Sequence, residues 1–167
     1  MKALLRPRLV KYLAQSRILV QSSALPLVRI LLSLAETVVE SGAVRSPLEY
    51  YKELANQSSP WIALQETDRV PNAKIYQVCS RGVKKLTAAM ALCPGGIRAE
   101  HGEMIHIVLL ISAPTSSVPS FLALLAQAVR LLGLKAERET LLASNTAMEA
   151  WAFLSQLESR YAAAPHP

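Results

Sequence analysis

The side chains that could do chemistry are few. Cys79 follows the extended run KIYQVC and precedes Arg81, Lys84 and Lys85. Nearby cations stabilise a thiolate, so this spacing suits a nucleophilic cysteine. The plainer reading is an inert, half-buried thiol. The only other cysteine, Cys93, forms no CxxC pair with it. Two unpaired thiols fit a cytoplasmic protein without disulfides. The three histidines are His101, His106 and His166, and none has a second ligand at metal-binding spacing. No metal is therefore expected. His106 lies inside an apolar run, where an imidazole is ordinarily a satisfied sheet residue. A ligand or catalytic role for it stays open. Gly95-Gly96 alone is weak evidence for a phosphate-binding loop. With no GxGxxG and no Walker sequence, no cofactor is expected.

These residues need a frame, and the run Ile105 to Ser112 provides its centre. It is almost wholly apolar, too short to cross a membrane, and bounded by Gly102 and Ala113-Pro114. It reads as a strand buried on both faces. Thr115, Ser116 and Ser117 offer N-cap oxygens, and Pro119 suits a first helical turn. A helix through Phe121, Leu124, Leu125, Ala128 and Leu132 follows, ending at Gly133.

Upstream, Leu4 to Leu13 reads as a short helical opening broken at Pro7, and Arg17 to Gln21 as a first strand. Ser22 or Ser23 is expected to cap a helix carrying Leu27, Ile30, Leu31, Leu34, Ala35 and Val38 at helical spacing, stopped by Gly42. Ser46-Pro47-Leu48-Glu49 spells a capping box for a second helix to about Gln57. Ile62 to Leu64, Lys74 to Cys79 and the alanine-rich Leu86 to Leu92 read as strands, and Pro94-Gly95-Gly96 as a turn. After the central strand and helix, Leu134 to Leu142 is helical. Thr146 to Glu149 then forms a second capping box for a last helix, ending near Arg160 before a frayed tail. Trp61, Trp151 and Phe153 are expected to fill core space. Strands alternating with paired helices predict one domain, a three-layer α/β/α sandwich over residues 1–167, with residues 1–15 as an extension and 161–167 as the tail.

The composition agrees. Half of the 167 residues are apolar, enough to bury a proper core. The longest candidate span, Leu25 to Val39, is interrupted by Arg29 and Glu36, so no transmembrane segment is expected. The first twenty residues hold five bases and no acid, within a net charge of +6. A nucleic acid, an anionic membrane or an acidic partner would all fit, as would a merely solvated face. No helix-turn-helix, RNP or zinc signature supports nucleic acid.

The pattern as a whole resembles the fructose/mannitol/nitrogen-type enzyme IIA domains of the phosphoenolpyruvate-dependent phosphotransferase system. The resemblance runs from about Leu4 to Leu157. It is carried by LVRILLSLAETVVESGAVRSPLEYYKEL (Leu27–Leu54), GVKKLTAAMAL (Gly82–Leu92), Gly96-Ile97, IHIVLLISAP (Ile105–Pro114), LLAQAVRLL and SNTAMEAWAFL. It implies the same mixed-sheet sandwich. In that family a histidine within a run close to G-N-G-I-A-I-P-H accepts a phosphoryl group from HPr and passes it to enzyme IIB. Placed without gaps, that run falls on VPNAKIYQ (Val70–Gln77). Gln77 then stands at the phosphohistidine and Tyr76 at its preceding proline. A shift of one or two residues puts Val78 or Cys79 there instead. The run's glycines fall on Val70 and Asn72, and the third is missing. The family's upstream arginine falls at or near Trp61, and the second histidine of the mannitol type at or near Val118. His106 matches a histidine that some members carry, though not the acceptor.

A phosphohistidine needs an imidazole nitrogen as nucleophile, and glutamine has none. The resemblance therefore implies a degenerate site and a pseudoenzyme, a regulatory module whose partner is HPr, enzyme IIB, a kinase, a transporter or a transcriptional regulator. Two alternatives remain. One is an active carrier using Cys79 or His106. The other is an unrelated small-molecule-binding α/β domain sharing only the fold.

Overall fold

In this computed structural model, residues 7–21, 24–56, 62–64, 71–99 and 102–163 are described. The apolar run becomes strand β5 (Met104–Ala113), and nothing between Ile107 and Ala113 is left in water. Its side chains alternate between two cores. Ile107, Leu109, Ile111 and Ala113 enter one, and Val108 and Leu110 the other. β5 pairs in parallel with β3 (Ala73–Cys79) and antiparallel with β4 (Thr87–Arg98). The short strands β1 (Ile18–Val20) and β2 (Ile62–Leu64) close the edges, giving the order β1-β4-β5-β3-β2. β1 runs parallel to β4, and β2 antiparallel to β3. The sheet is mixed, as expected.

Helices α2 (Leu27–Glu40) and α3 (Pro47–Ala55) cover one face. Ile30, Leu34, Ala35 and Val38 pack there with Tyr50, Leu54 and the strand residues Tyr76, Val78, Ala89 and Ala91. The other face takes α1 (Leu9–Tyr12), α4 (Val118–Leu132), α5 (Lys135–Leu142) and α6 (Ala147–Ala163). The result is the expected three-layer sandwich. The alanines of 88–91 sit in β4 itself, next to the centre of the sheet, and all are fully buried. Ala89 and Ala91 face α2, and their small side chains let that helix lie close, whereas Ala88 faces the α4-side core.

Several local expectations are corrected. Pro94-Gly95-Gly96 does not turn the chain but bulges within β4, between the pairs Leu92↔Ile107 and Ile97↔Ile105. Pro94 has no N–H for the ladder, and the bulge removes that demand. Gly96 sits at φ +78°, and a Cβ there would lie 3.2 Å from His106 Nε2. Helix α2 starts after Pro26, which disfavours helical backbone at Leu25. The expected caps, Ser22 and Ser23, lie outside the described residues. Ser46 makes no side-chain cap, and its N–H goes to Gly82 O at 3.1 Å instead of to Glu49. Thr115–Ser117 forms a 3₁₀ turn without a side-chain cap on α4. The second box does form: Glu149 N–H donates to Thr146 Oγ1 at 3.1 Å, and Asn145 N–H to Glu149 Oε2 at 2.8 Å. The last helix runs on to Ala163, with Tyr161 stacked under Arg130 at 4.5 Å.

Thr115–Leu132 is long and apolar enough, by length and composition, to cross a membrane. It is a different stretch from Leu25 to Val39 and from Ile105 to Ser112, the two runs set aside on sequence grounds. In the fold this segment buries Phe121, Leu124, Leu125, Ala128, Leu131 and Leu132 against the sheet.

Residues 7–15 carry Leu9 and Leu13 into the α4-side core. Their anchor is Glu158 on α6, 2% exposed, whose carboxylate accepts the N–H groups of Leu9 and Val10 at the start of α1. Gln127 and Arg8 complete its surroundings, while Trp151 Nε1 donates to Leu13 O at 2.8 Å. Glu158→Ala leaves buried donors unpaired and is expected to cost about 2 kcal/mol. Amide exchange at Leu9 and Val10 should accelerate ahead of exchange in β5. Equal acceleration in both would mean that α1 is not separately anchored.

Candidate functional site

β3 and β5 are parallel and end together at the pair Cys79↔Ala113, where β4 begins opposite Ser112. Chain leaving both strands crosses this end of the sheet, and α4 starts beside it. Side-chain alternation puts Ile75, Gln77 and Cys79 on the α4 face. Gln77 pairs in register with Ile111, a member of the α4-side core. It is 8% exposed, and its Oε1 has no hydrogen-bond partner. A buried amide oxygen left unpaired costs about 1–3 kcal/mol, so this is an unusual place for a structural glutamine. Val118, the first residue of α4, is 43% exposed on the same face, and Leu122 one turn later is 53% exposed. Trp61 lies outside the described residues.

Cys79 ends β3, half-buried against the α4-side core. Burial pushes its thiol pKa up from the ordinary value. The sequence had suggested the opposite, because Arg81, Lys84 and Lys85 follow closely. Those three side chains are exposed in the next turn, and desolvation is the influence that prevails. At pH 7 the thiol form dominates, which makes a poor nucleophile. Cys93, facing α2, is pushed further, to about 11.

The turn after Cys79 is locked to the α2–α3 connection. Ser80 N–H donates to Ala113 O, Gly82 N–H to Ser80 Oγ, Val83 N–H to Ser80 O and Lys84 N–H to Ala43 O. The carbonyl of Gly82 accepts from Arg45 and Ser46, and a Cβ at Gly82 would meet Ser46 O at 2.9 Å. Four backbone donors that might have held phosphoryl oxygens are thus engaged inside the protein. Beneath the end of β5, Tyr50 OH and Ser112 Oγ share a hydrogen bond of 2.8 Å. Burial raises the Tyr50 pKa above its ordinary value. The sequence reading missed this pair, since a tyrosine among apolar helix positions reads as packing.

His106 does not join these residues. It opens β5 beside Asn72, whose N–H donates to His106 Nδ1 at 3.3 Å. That bond leaves Nδ1 an acceptor and places the proton of the neutral ring on Nε2. Burial lowers its pKa. His106 precedes Ala113 by seven residues along the strand, so it lies roughly 23 Å from the strand ends. His101 and His166 are outside the described residues. Among those described, no three His, Cys, Asp or Glu side chains cluster as metal ligands.

No protein-family model matches this sequence, and no curated protein does. Solved structures do match. The nitrogen regulatory protein IIA-Ntr of Neisseria meningitidis superposes with a TM-score of 0.70 at 19% identity, covering 87% of this chain and 97% of that one. The chain has the enzyme IIA fold. The mannitol-specific cryptic enzyme IIA of Escherichia coli gives 0.67 at 17% identity, with 90% and 99% covered. Mannitol enzyme IIA of Escherichia coli, solved in complex with phosphorylated enzyme IIB, gives 0.60 at 16% identity, with 86% and 96% covered. At these identities the likeness is one of fold, so the chemistry of this enzyme IIA fold rests on its own side chains.

Proposed function

We propose that this chain is a single enzyme IIA-like domain of the phosphotransferase system that has lost the phosphoryl-accepting histidine. It acts in the cytoplasm by protein–protein contact. The observation that carries this reading is Gln77, a buried amide with an unpaired oxygen, two residues before β3 ends on the α4 face. An amide nitrogen is not a nucleophile, so no phosphoramidate can form on it. The engaged N–H groups of the Ser80–Lys84 turn support the same reading, because a phosphoryl group needs donors as well as a nucleophile. Cys79 is the nucleophile that a rival, cysteine-carrying reading would use, and its raised pKa weighs against it.

Contact is supported by Val118 and Leu122, an exposed apolar pair one turn apart beside the strand ends. The candidate partners are HPr and enzyme IIB, since mannitol enzyme IIA was solved with phosphorylated enzyme IIB. The test is to titrate each into the isotope-labelled chain. Shifts should gather at Val118, Leu122 and the Ser80–Lys85 turn, and Leu122→Glu should weaken binding roughly tenfold, as truncating an interface hot spot does. No shift with either protein, or shifts confined to α6, would contradict this choice of partner.

A further inference from the structure

A second feature lies at the same end of the sheet but at its opposite edge. α1, the 3₁₀ turn Gln15–Arg17, the end of α2 and the chain entering β4 meet around a cleft of about 310 Å³. Its charged lining is Lys11, Arg17 and Lys85, with Tyr12 and Thr87 supplying hydroxyls, and among the described residues no carboxylate lines it. The ion pairs among the described residues are Arg8–Glu158, Lys74–Glu103 and Lys135–Glu139, so none uses these three cations. Gathering like charges without a counter-charge is unfavourable unless something else is gained. Arg17 is also held in place: Nε donates to Ala88 O at 3.0 Å and one terminal nitrogen to Tyr12 O at 2.8 Å. The guanidinium is therefore oriented and half-desolvated, with donors to spare. Lys11 Nζ rests 5.8 Å from the centre of the Tyr12 ring.

One wall is the C-terminal end of α2, whose carbonyls would repel an anion. Three of these carbonyls are already engaged. Ser41 N–H donates to Thr37 O, Ser41 Oγ to Val38 O and Gly42 N–H to Val39 O. We infer that this cleft binds a phosphate monoester of small-molecule size, its phosphoryl oxygens held by Arg17, Lys11 and Lys85. The volume suits a small ligand. An oriented guanidinium flanked by two ammonium groups favours a dianion over a carboxylate. Thr87, where the lining enters β4, is two strand spacings, roughly 10 Å, from β3, and the site does not use Gln77.

The probe is inorganic phosphate, titrated into the labelled full chain against chloride at matched ionic strength. Saturable amide shifts are expected at Tyr12, Arg17, Lys85 and Thr87, with pyrophosphate binding more tightly. The paired change Lys11→Gln with Lys85→Gln should weaken phosphate roughly tenfold or more while leaving the thermal midpoint unchanged. Both lysines are exposed, so this variant folds even if Arg17→Gln does not. Several results would overturn the assignment. Chloride could reproduce the response, the lysine variant could bind as well as the parent, or the shifts could gather at Arg81 and Lys84. A polyglutamate peptide binding where phosphate does not would point to an acidic protein segment instead.

Discussion

Replacing Leu109 by alanine is expected to remove roughly 2–5 kcal/mol of folding stability, the range for a leucine truncated in a packed core. Leu109 is fully buried on the middle strand. It pairs in register with Met90 on one side and Ile75 on the other, and shares a core with Phe121 and Leu124 of α4. Its neighbours are therefore held by the sheet on two sides and by a helix above. They cannot close over the lost methyl groups, and the cavity persists. Urea unfolding measures the effect as a fall in midpoint at constant slope. Leu122→Ala is the control, because Leu122 faces solvent on the same helix layer and should change stability by less than about 0.5 kcal/mol. A loss below about half a kilocalorie for Leu109→Ala would mean that β5 is not the centre of the fold.

What could be read from the sequence follows from what is local. The run at 105–112 and the helix after it carry their burial in their own periodicity, and the structure places both as expected. The mixed order of the sheet came through the family resemblance, since no local signal distinguishes parallel from antiparallel pairing. Caps were less legible. The Ser46 box was spelled correctly, but Gly82, distant in sequence, took the N–H that the box requires. Thr146–Glu149 formed close to expectation, with Thr146 Oγ1 taking the Glu149 N–H. Pro94-Gly95-Gly96 carries the residues of a turn, and pairing on both sides of it turned it into a bulge.

The site divided along the same line. The position of Gln77 on the α4 face follows from strand alternation, whereas the pKa of Cys79 depends on what the fold lays over it. Cations adjacent in sequence pointed the wrong way because their side chains leave the turn toward solvent. The cleft around Arg17 had no sequence signature at all. Its cations come from two stretches of chain, with Lys85 dozens of residues beyond Lys11 and Arg17, and within the sequence Lys11 and Arg17 were only part of a basic N-terminus.

The central claim is that this enzyme IIA-like chain does not carry phosphate. The expected effect is all or none. A working carrier becomes stoichiometrically phosphorylated, whereas Gln77 offers no nucleophile and Cys79 little thiolate. Anion binding near Lys85 or Arg81 is noncovalent and leaves the prediction untouched. The measurement is an intact mass after incubation with phosphoenolpyruvate, enzyme I and HPr, taken under conditions that preserve acid-labile phosphate. An unchanged mass is the predicted result. A gain of one phosphoryl group would contradict it: lost in Cys79→Ala, it would identify a cysteine carrier, and lost instead in His106→Ala, a histidine carrier.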